Sequence, residues 1–179
     1  MQSFVRAVAE EGRRILQALG YEIKNFDSAS LPFPDAVPDS HPKVQKLREL
    51  ALWSECMVWS SPERHGAMTG ILKAQIDCIP LSAIGSKRPI QGKALALVQV
   101  LGRWMRMIKI PNQSSLPKAW LEFENGRVKP SLFYNRTANF MEELERFNVI
   151  ALGHKEMLVD RYSERVESAE ELHKRVLLT

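Results

Sequence analysis

An α/β fold with a mostly parallel sheet covered on both faces is what this chain predicts. Three observations carry that expectation. Apolar stretches of helical and of strand period alternate along the chain. A short apolar run, Met57-Val58-Trp59, leads through a polar loop from Ser60 to Gly66 into a helix-patterned segment. The run Ala94 to Val100 has the length and composition of a fully buried strand.

Taken in order, Val5, Val8, Ala9, Gly12, Ile15, Leu16 and Leu19 recur at helical spacing, and Gly20 stops that helix. Tyr21 to Phe26 alternates apolar and polar, as a half-buried or edge strand does. Residues 27–39 form a loop punctuated by Pro32, Pro34 and Pro38. Ser40-His41-Pro42 marks a helix start, with Val44, Leu47, Leu50 and Ala51 as its apolar face. After the strand Met57–Ser60 and the loop, the next helix presents Met68, Ile71, Leu72, Ile76 and Ile79 on one side. Lys73 and Asp77 lie on the other side, and Pro80 ends it. Strands follow at Ala94–Val100 and Met105–Ile110. Then comes a helix before Leu152, striped by Phe140, Met141, Leu144, Phe147 and Ala151. Residues 1–179 read as a single domain, with 154–179 a charged helical extension on the surface or against a second subunit.

One junction resists this scheme. Only Leu101-Gly102-Arg103-Trp104 separates Val100 from Met105. A parallel crossover needs about a dozen residues, and tight hairpins prefer Asn-Gly or Asp-Gly. The two strands are antiparallel, or a crossover is absent from the chain; absence is the favoured expectation.

Composition narrows the function classes. With 179 residues, 45% of them hydrophobic, one ordinary core can form. The 25 basic and 21 acidic residues leave a mild +4, with no block of like charge, so no nucleic-acid tail is expected. Arg103, Arg106, Lys109 and Lys118 interleave with Trp104 and Trp120 on a strand-like run and its flanks instead of one stripe. A solvated face or a contact to an anionic cofactor suits them better. Cys56 and Cys78 form no CxxC pair and read as buried thiols, neither metal framework nor disulfide scaffold. Neither a membrane-length apolar run nor a signal peptide is visible, so the expectation is a cytoplasmic protein with no membrane partner.

The loop after Trp59 combines a rigid turn (Pro62), two opposite charges (Glu63, Arg64), an imidazole (His65) and a permissive backbone (Gly66). At the carboxyl end of a strand, that mixture suits a flat heteroaromatic ligand. The plainer readings are a surface ion pair for Glu63–Arg64, a helix-start contact for His65, and close helix–sheet packing for Gly66 and Gly70.

Longer motifs extend the pattern: Asp39-Ser40-His41-Pro42-Lys43-Val44, Ala51-Leu52-Trp53-Ser54-Glu55, Ser61 through Asp77, Arg88-Pro89-Ile90-Gln91-Gly92-Lys93, Leu101-Gly102-Arg103-Trp104-Met105-Arg106-Met107, Ile110-Pro111-Asn112-Gln113-Ser114-Ser115 and Asp160-Arg161-Tyr162-Ser163-Glu164-Arg165. On these residues the chain resembles the ArsH family of arsenical-resistance flavoproteins, over nearly its whole length. The resemblance implies a flavodoxin-like three-layer α/β/α sandwich that uses FMN and NADPH. It implies electron transfer from NADPH through FMN to oxygen, quinones, azo compounds or organoarsenicals, in a homotetramer or homodimer.

The same resemblance implies that Ser61, Pro62, Glu63, Arg64, His65 and Gly66 line the flavin ring. Ser3 is then the remnant of a phosphate-binding loop, against the plainer reading of a helix cap. No side chain is expected to act as acid or base, since the chemistry belongs to the flavin. The chain departs from the family twice: a first strand with its phosphate loop, and a glycine–serine loop with most of a helix between Val100 and Leu101, have no counterpart. The rival expectation is a non-catalytic flavodoxin-like oligomerisation module with weak or no FMN binding.

Overall fold

A computed structural model describes residues 4–34, 36–64, 67–80, 89–96, 106–112, 116, 119–160, 168, 170–171 and 173–174. Helix α1 (Phe4–Ala18) ends where the sequence says it should. Gly20 adopts φ +93°, and the amides of Gly20 and Tyr21 donate to the carbonyls of Gln17 and Leu16 at 3.0 and 3.1 Å. That closure needs a left-handed residue, which glycine adopts without steric cost.

Helix α2 (Pro42–Trp53) begins with proline in its first turn, and His41 Nδ1 accepts from the Lys43 amide at 3.3 Å. It packs Val44, Leu47 and Ala51 inward. Strand β1 (Cys56–Val58) leads to a two-residue hairpin, β2 (Glu63–Arg64) and β3 (Ala67–Met68), and then to α3 (Gly70–Asp77). Strands β4 (Ala94–Ala96) and β5 (Ile108–Lys109) complete the main sheet. A second hairpin, β6 (Phe123–Glu124) and β7 (Arg127–Val128), precedes the long helix α4 (Leu132–Gly153) and the short α5 (Lys155–Val159).

The sheet order is β1-β4-β5, parallel throughout. Met57 sits opposite Leu95, and Ala94 opposite Ile108. The antiparallel alternative at the 100–105 junction is thereby excluded. The strands are shorter than expected: the second is Ile108–Lys109 instead of Met105–Ile110, which leaves residues 97–107 to connect β4 to β5. Residues 97–105 of that connection lie outside the described residues, as does the expected continuation of β4 to Val100.

Each face of the sheet carries its own apolar cluster. Val44, Leu47, Ala51, Trp59, Ile76, Ile79 and Leu95 form one, under α2 and α3. Leu16, Ala94, Ala96, Ile110, Phe140, Met141 and Leu144 form the other, under α1 and α4. Leu95, Ile110 and Leu144 are fully buried, each contributing about 1.5–3 kcal/mol by leaving water. Gly12 lets α1 approach α4 closely, because a Cβ there would lie 2.5 Å from Met141 Cε.

Two expectations are corrected. Tyr21–Phe26 belongs to no strand, since no strand among the described residues pairs with it. Ile71, expected on the inner face of α3, is 62% exposed, and Met68 lies in β3 instead of the helix. The helix starts only at Gly70, which turns position 71 outward.

Lys93 joins sheet to helix. Its Nζ donates to the carbonyls of Ala51 and Leu52 at 2.7 and 3.1 Å, satisfying the last turn of α2. Burial brings its ammonium down to about 8, while burial, with Glu55 beside it, pushes the Cys56 thiol up to about 11. Between pH 8 and 10.5 the unfolded lysine holds a proton that the folded one releases, so stability rises with pH there. Between pH 9 and 11 the unfolded thiol ionises while the folded one stays neutral, so stability falls. Urea midpoints should therefore climb from pH 8 to 9 and fall above 10.5. Lys93→Met should abolish the climb and keep the fall.

Candidate functional site

In a parallel sheet, ligands gather at the carboxyl ends of the strands. Here the loop leaving β1 occupies that end, with Asn112, beyond β5, on the same side. The Asn112 amide donates to Glu143 Oε1 of α4 at 3.2 Å.

Local hydrogen bonds shape the loop. Ser60 Oγ donates to the Val5 carbonyl at 3.3 Å, tying the loop to the first turn of α1. Ser61 Oγ donates to the Pro62 carbonyl at 2.9 Å, accepts from the Thr69 amide at 3.4 Å, and lies 3.3 Å from Thr69 Oγ1. Thr69 Oγ1 in turn accepts from the Leu72 amide at 3.4 Å, capping α3. The two ends of the hairpin are thus clamped by one serine and one threonine. Between them Glu63 pairs with Met68 and Arg64 with Ala67 in an antiparallel ladder. Met68 packs from beneath against the cluster shared by α2 and α3.

Of the residues expected at the site, Ser61, Pro62 and the backbones of Glu63 and Arg64 come together in this clamped hairpin. Ser3, His65 and Gly66 lie outside the described residues. Pro62 is exposed, and Ile71 offers an apolar surface at the opening of α3. Arg6, in the first turn of α1, pairs with Asp27 at 2.9 Å, both side chains largely in water. Ser60 and Thr69 were missed by the sequence reading. Thr69 carried a usable signal, a threonine directly ahead of Gly-Ile-Leu at a helix start.

Chemically the clamp offers hydroxyls already engaged in holding the loop, and a short backbone ladder on an exposed turn. It can fix and orient a planar ligand by backbone contact. Among the described residues no His, Cys, Asp and Glu side chains group to hold a metal ion, and no helix is long and apolar enough to cross a membrane.

The chain has recognisable relatives. The family model described as "NADPH-dependent FMN reductase" matches residues 1–120. A protein of Rhizobium meliloti (strain 1021) named "NADPH-dependent FMN reductase ArsH" is 58% identical over 192 residues, covering 98% of this chain and 79% of that protein. Its namesake from Acidithiobacillus ferrooxidans is 52% identical, covering 98% of this chain and 81% of its own. The Rhizobium stretch of 192 residues is longer than the 179 residues here, so the relative carries at least 13 residues without a counterpart. Among solved structures, the flavoenzyme NAD(P)H:(acceptor) oxidoreductase FerB from Paracoccus denitrificans superimposes with a TM-score of 0.57 at 16% identity, over 81% of this chain and 91% of that one. At that identity the likeness is one of fold, and it agrees with the flavodoxin-like expectation.

Proposed function

This chain belongs to the NADPH-dependent FMN reductase family, in its ArsH branch, and from that premise we propose that it passes electrons from NADPH to FMN at the hairpin following β1. The observation that carries the reading is the Ser61–Thr69 clamp at the carboxyl end of β1. It holds a backbone ladder where a flat ring can lie.

The described residues fit the ring portion of FMN. The clamped turn needs no further donor for its own stability, and Met68 keeps it seated on the core. FMN, when bound, supplies the hydride-accepting and electron-donating chemistry. The chain's own part is positional: Ser61 and Thr69 fix the hairpin, and the Glu63–Met68 ladder presents backbone groups to the ring edge. Pro62 stiffens the entry, and His65 and Gly66, next along the sequence, are assigned to the ring as well. Ser3, which precedes Phe4 in the sequence, is assigned to the phosphate end.

Residues 1–179 act as one flavodoxin-like domain in the cytoplasm, with 154–179 as its extension. Oxygen, quinones, azo compounds and organoarsenicals are the proposed acceptor class, a reading that rests on the resemblance of the chain's motifs to the ArsH family. Val149 and Ile150 near the end of α4 and Met157 on α5 are each exposed, which suits burial in a homodimer or homotetramer.

The test is direct. The purified chain with FMN should quench flavin fluorescence and then consume NADPH. Met68→Ala should weaken FMN about tenfold, a loss of about 1.4 kcal/mol, as the hairpin loses its seat. A folded chain that neither quenches FMN nor consumes NADPH would return the reading to a non-catalytic module.

A further inference from the structure

We infer that Met68 is a modification site: hydrogen peroxide oxidises its thioether to the sulfoxide, and the oxidised side chain releases the hairpin that follows β1. The inference rests on the reductase reading for the source of the peroxide and for the ligand that is lost. Oxygen, one of the proposed acceptors, becomes hydrogen peroxide on taking two electrons and two protons.

The hairpin depends on its seat. Its ladder is short, Glu63 with Met68 and Arg64 with Ala67, and so small a pair of strands is marginal by itself in water. The Ser61–Thr69 contacts close its open end at 3.3 and 3.4 Å, and Met68 packs it onto the cluster under α2 and α3. Met68 is also partly exposed, which leaves it open to an oxidant as small as hydrogen peroxide. Met107 and Met141, at 6% and 3% exposed, are closed off. Met57 is partly buried too, but it sits in β1 with Leu95 of β4 as its ladder partner. Met157 on α5 is 63% exposed and gauges the dose.

In the step, a sulfur lone pair attacks one peroxide oxygen. The S–O bond forms, the O–O bond breaks, and the departing hydroxide takes the proton of the new S–OH and leaves as water. Sulfur loses two electrons and the peroxide gains them. The product does not suit its place. The cluster is made of aliphatic side chains with Trp59 and Cys78, and it holds no hydroxyl, carboxamide or charged side chain. A sulfoxide oxygen is a strong acceptor and costly to keep in such surroundings, so the side chain turns out to water. Thr69, the cap of α3, follows Met68 directly, so the cap loosens with it.

The experiment treats the full chain and Met68→Leu, which keeps the volume without the sulfur, with graded hydrogen peroxide. Sulfoxides are mapped by mass spectrometry. Hydrogen exchange at the Thr69 and Leu72 amides is followed without FMN, and FMN affinity is then measured by quenching. At the dose that fully oxidises Met157, most parent molecules should carry the sulfoxide at Met68. Exchange at both amides should quicken about tenfold, and FMN affinity should fall about tenfold, against the untreated parent. Methionine sulfoxide reductase with a thiol should restore both. Met68→Leu should hold its own untreated values through the same dose. Met68 left unoxidised at that dose overturns the inference, as does its sulfoxide without faster exchange, or an equal loss in Met68→Leu. An untreated chain that binds no FMN overturns the reductase reading, and the exchange at Thr69 and Leu72 still decides the inference.

Discussion

Replacing Leu95 with alanine is expected to cost about 3 kcal/mol of folding stability, within the 2–5 kcal/mol typical of buried leucines. Leu95 is 0% exposed at the middle of β4, with Met57 opposite on one side and Lys109 on the other. Backbone partners on both sides restrain the main chain, so the vacated volume cannot collapse. For a domain held together by about 5–15 kcal/mol, that is a large share. Urea unfolding should show a lower midpoint with an unchanged slope, and Leu95→Ile should cost less than half as much. A loss under about 1 kcal/mol for the alanine variant would contradict the packing described for β4.

Glu11 should give the second largest effect. It is a carboxylate 1% exposed on α1, accepting from Arg127 Nε and Nη2 at 2.8 Å each and from Arg14 Nη1 at 3.0 Å. The bidentate pair fastens the β6–β7 hairpin to α1. Glu11→Ala should cost about 2–3 kcal/mol, since charge-assisted hydrogen bonds vanish and an empty volume remains. Arg127 is half exposed and can turn into water, which keeps the figure below that of a fully buried pair. Glu11→Met, which refills the volume, should recover part of the loss.

The pair also sets an acid dependence. Hydrogen bonds from Arg127, ahead of opposing burial, hold the Glu11 carboxyl below its ordinary value. Its contribution is therefore complete above that ordinary value and lost as pH falls through the lower, folded one. The gap between parent and Glu11→Ala, measured by thermal unfolding, should narrow below about pH 4, leaving only the part due to the empty volume. A gap that stays constant down to pH 2 would show that the carboxylate charge is not what fastens the hairpin.

Much of the architecture was legible because local signals agreed with the tertiary outcome. Gly20, His41-Pro42 and Pro80 mark helix boundaries through backbone geometry alone, and the Phe140 to Ala151 stripe faces the core as spaced. Tyr21–Phe26 misled because alternation reports the two faces of a strand and is silent about its edges. The segment has its faces packed and, among the described residues, no strand pairs with it. The β6–β7 hairpin went unread although Asn125-Gly126 announces it, with φ +49° and +75° as a tight two-residue turn demands. At the site, the position of the loop after β1 followed from the strand–loop–helix order. The Ser61–Thr69 clamp did not, because it joins side chains whose meeting depends on the hairpin between them.

A parallel sheet, three strands wide among the described residues, with a separate apolar cluster on each face, makes the molecule a laminate. Stripping α1 and α4 from one side would bare Ala94 and Ala96, which the other layer cannot reach to cover. Each layer survives only while its opposite number does, so the two delaminate together.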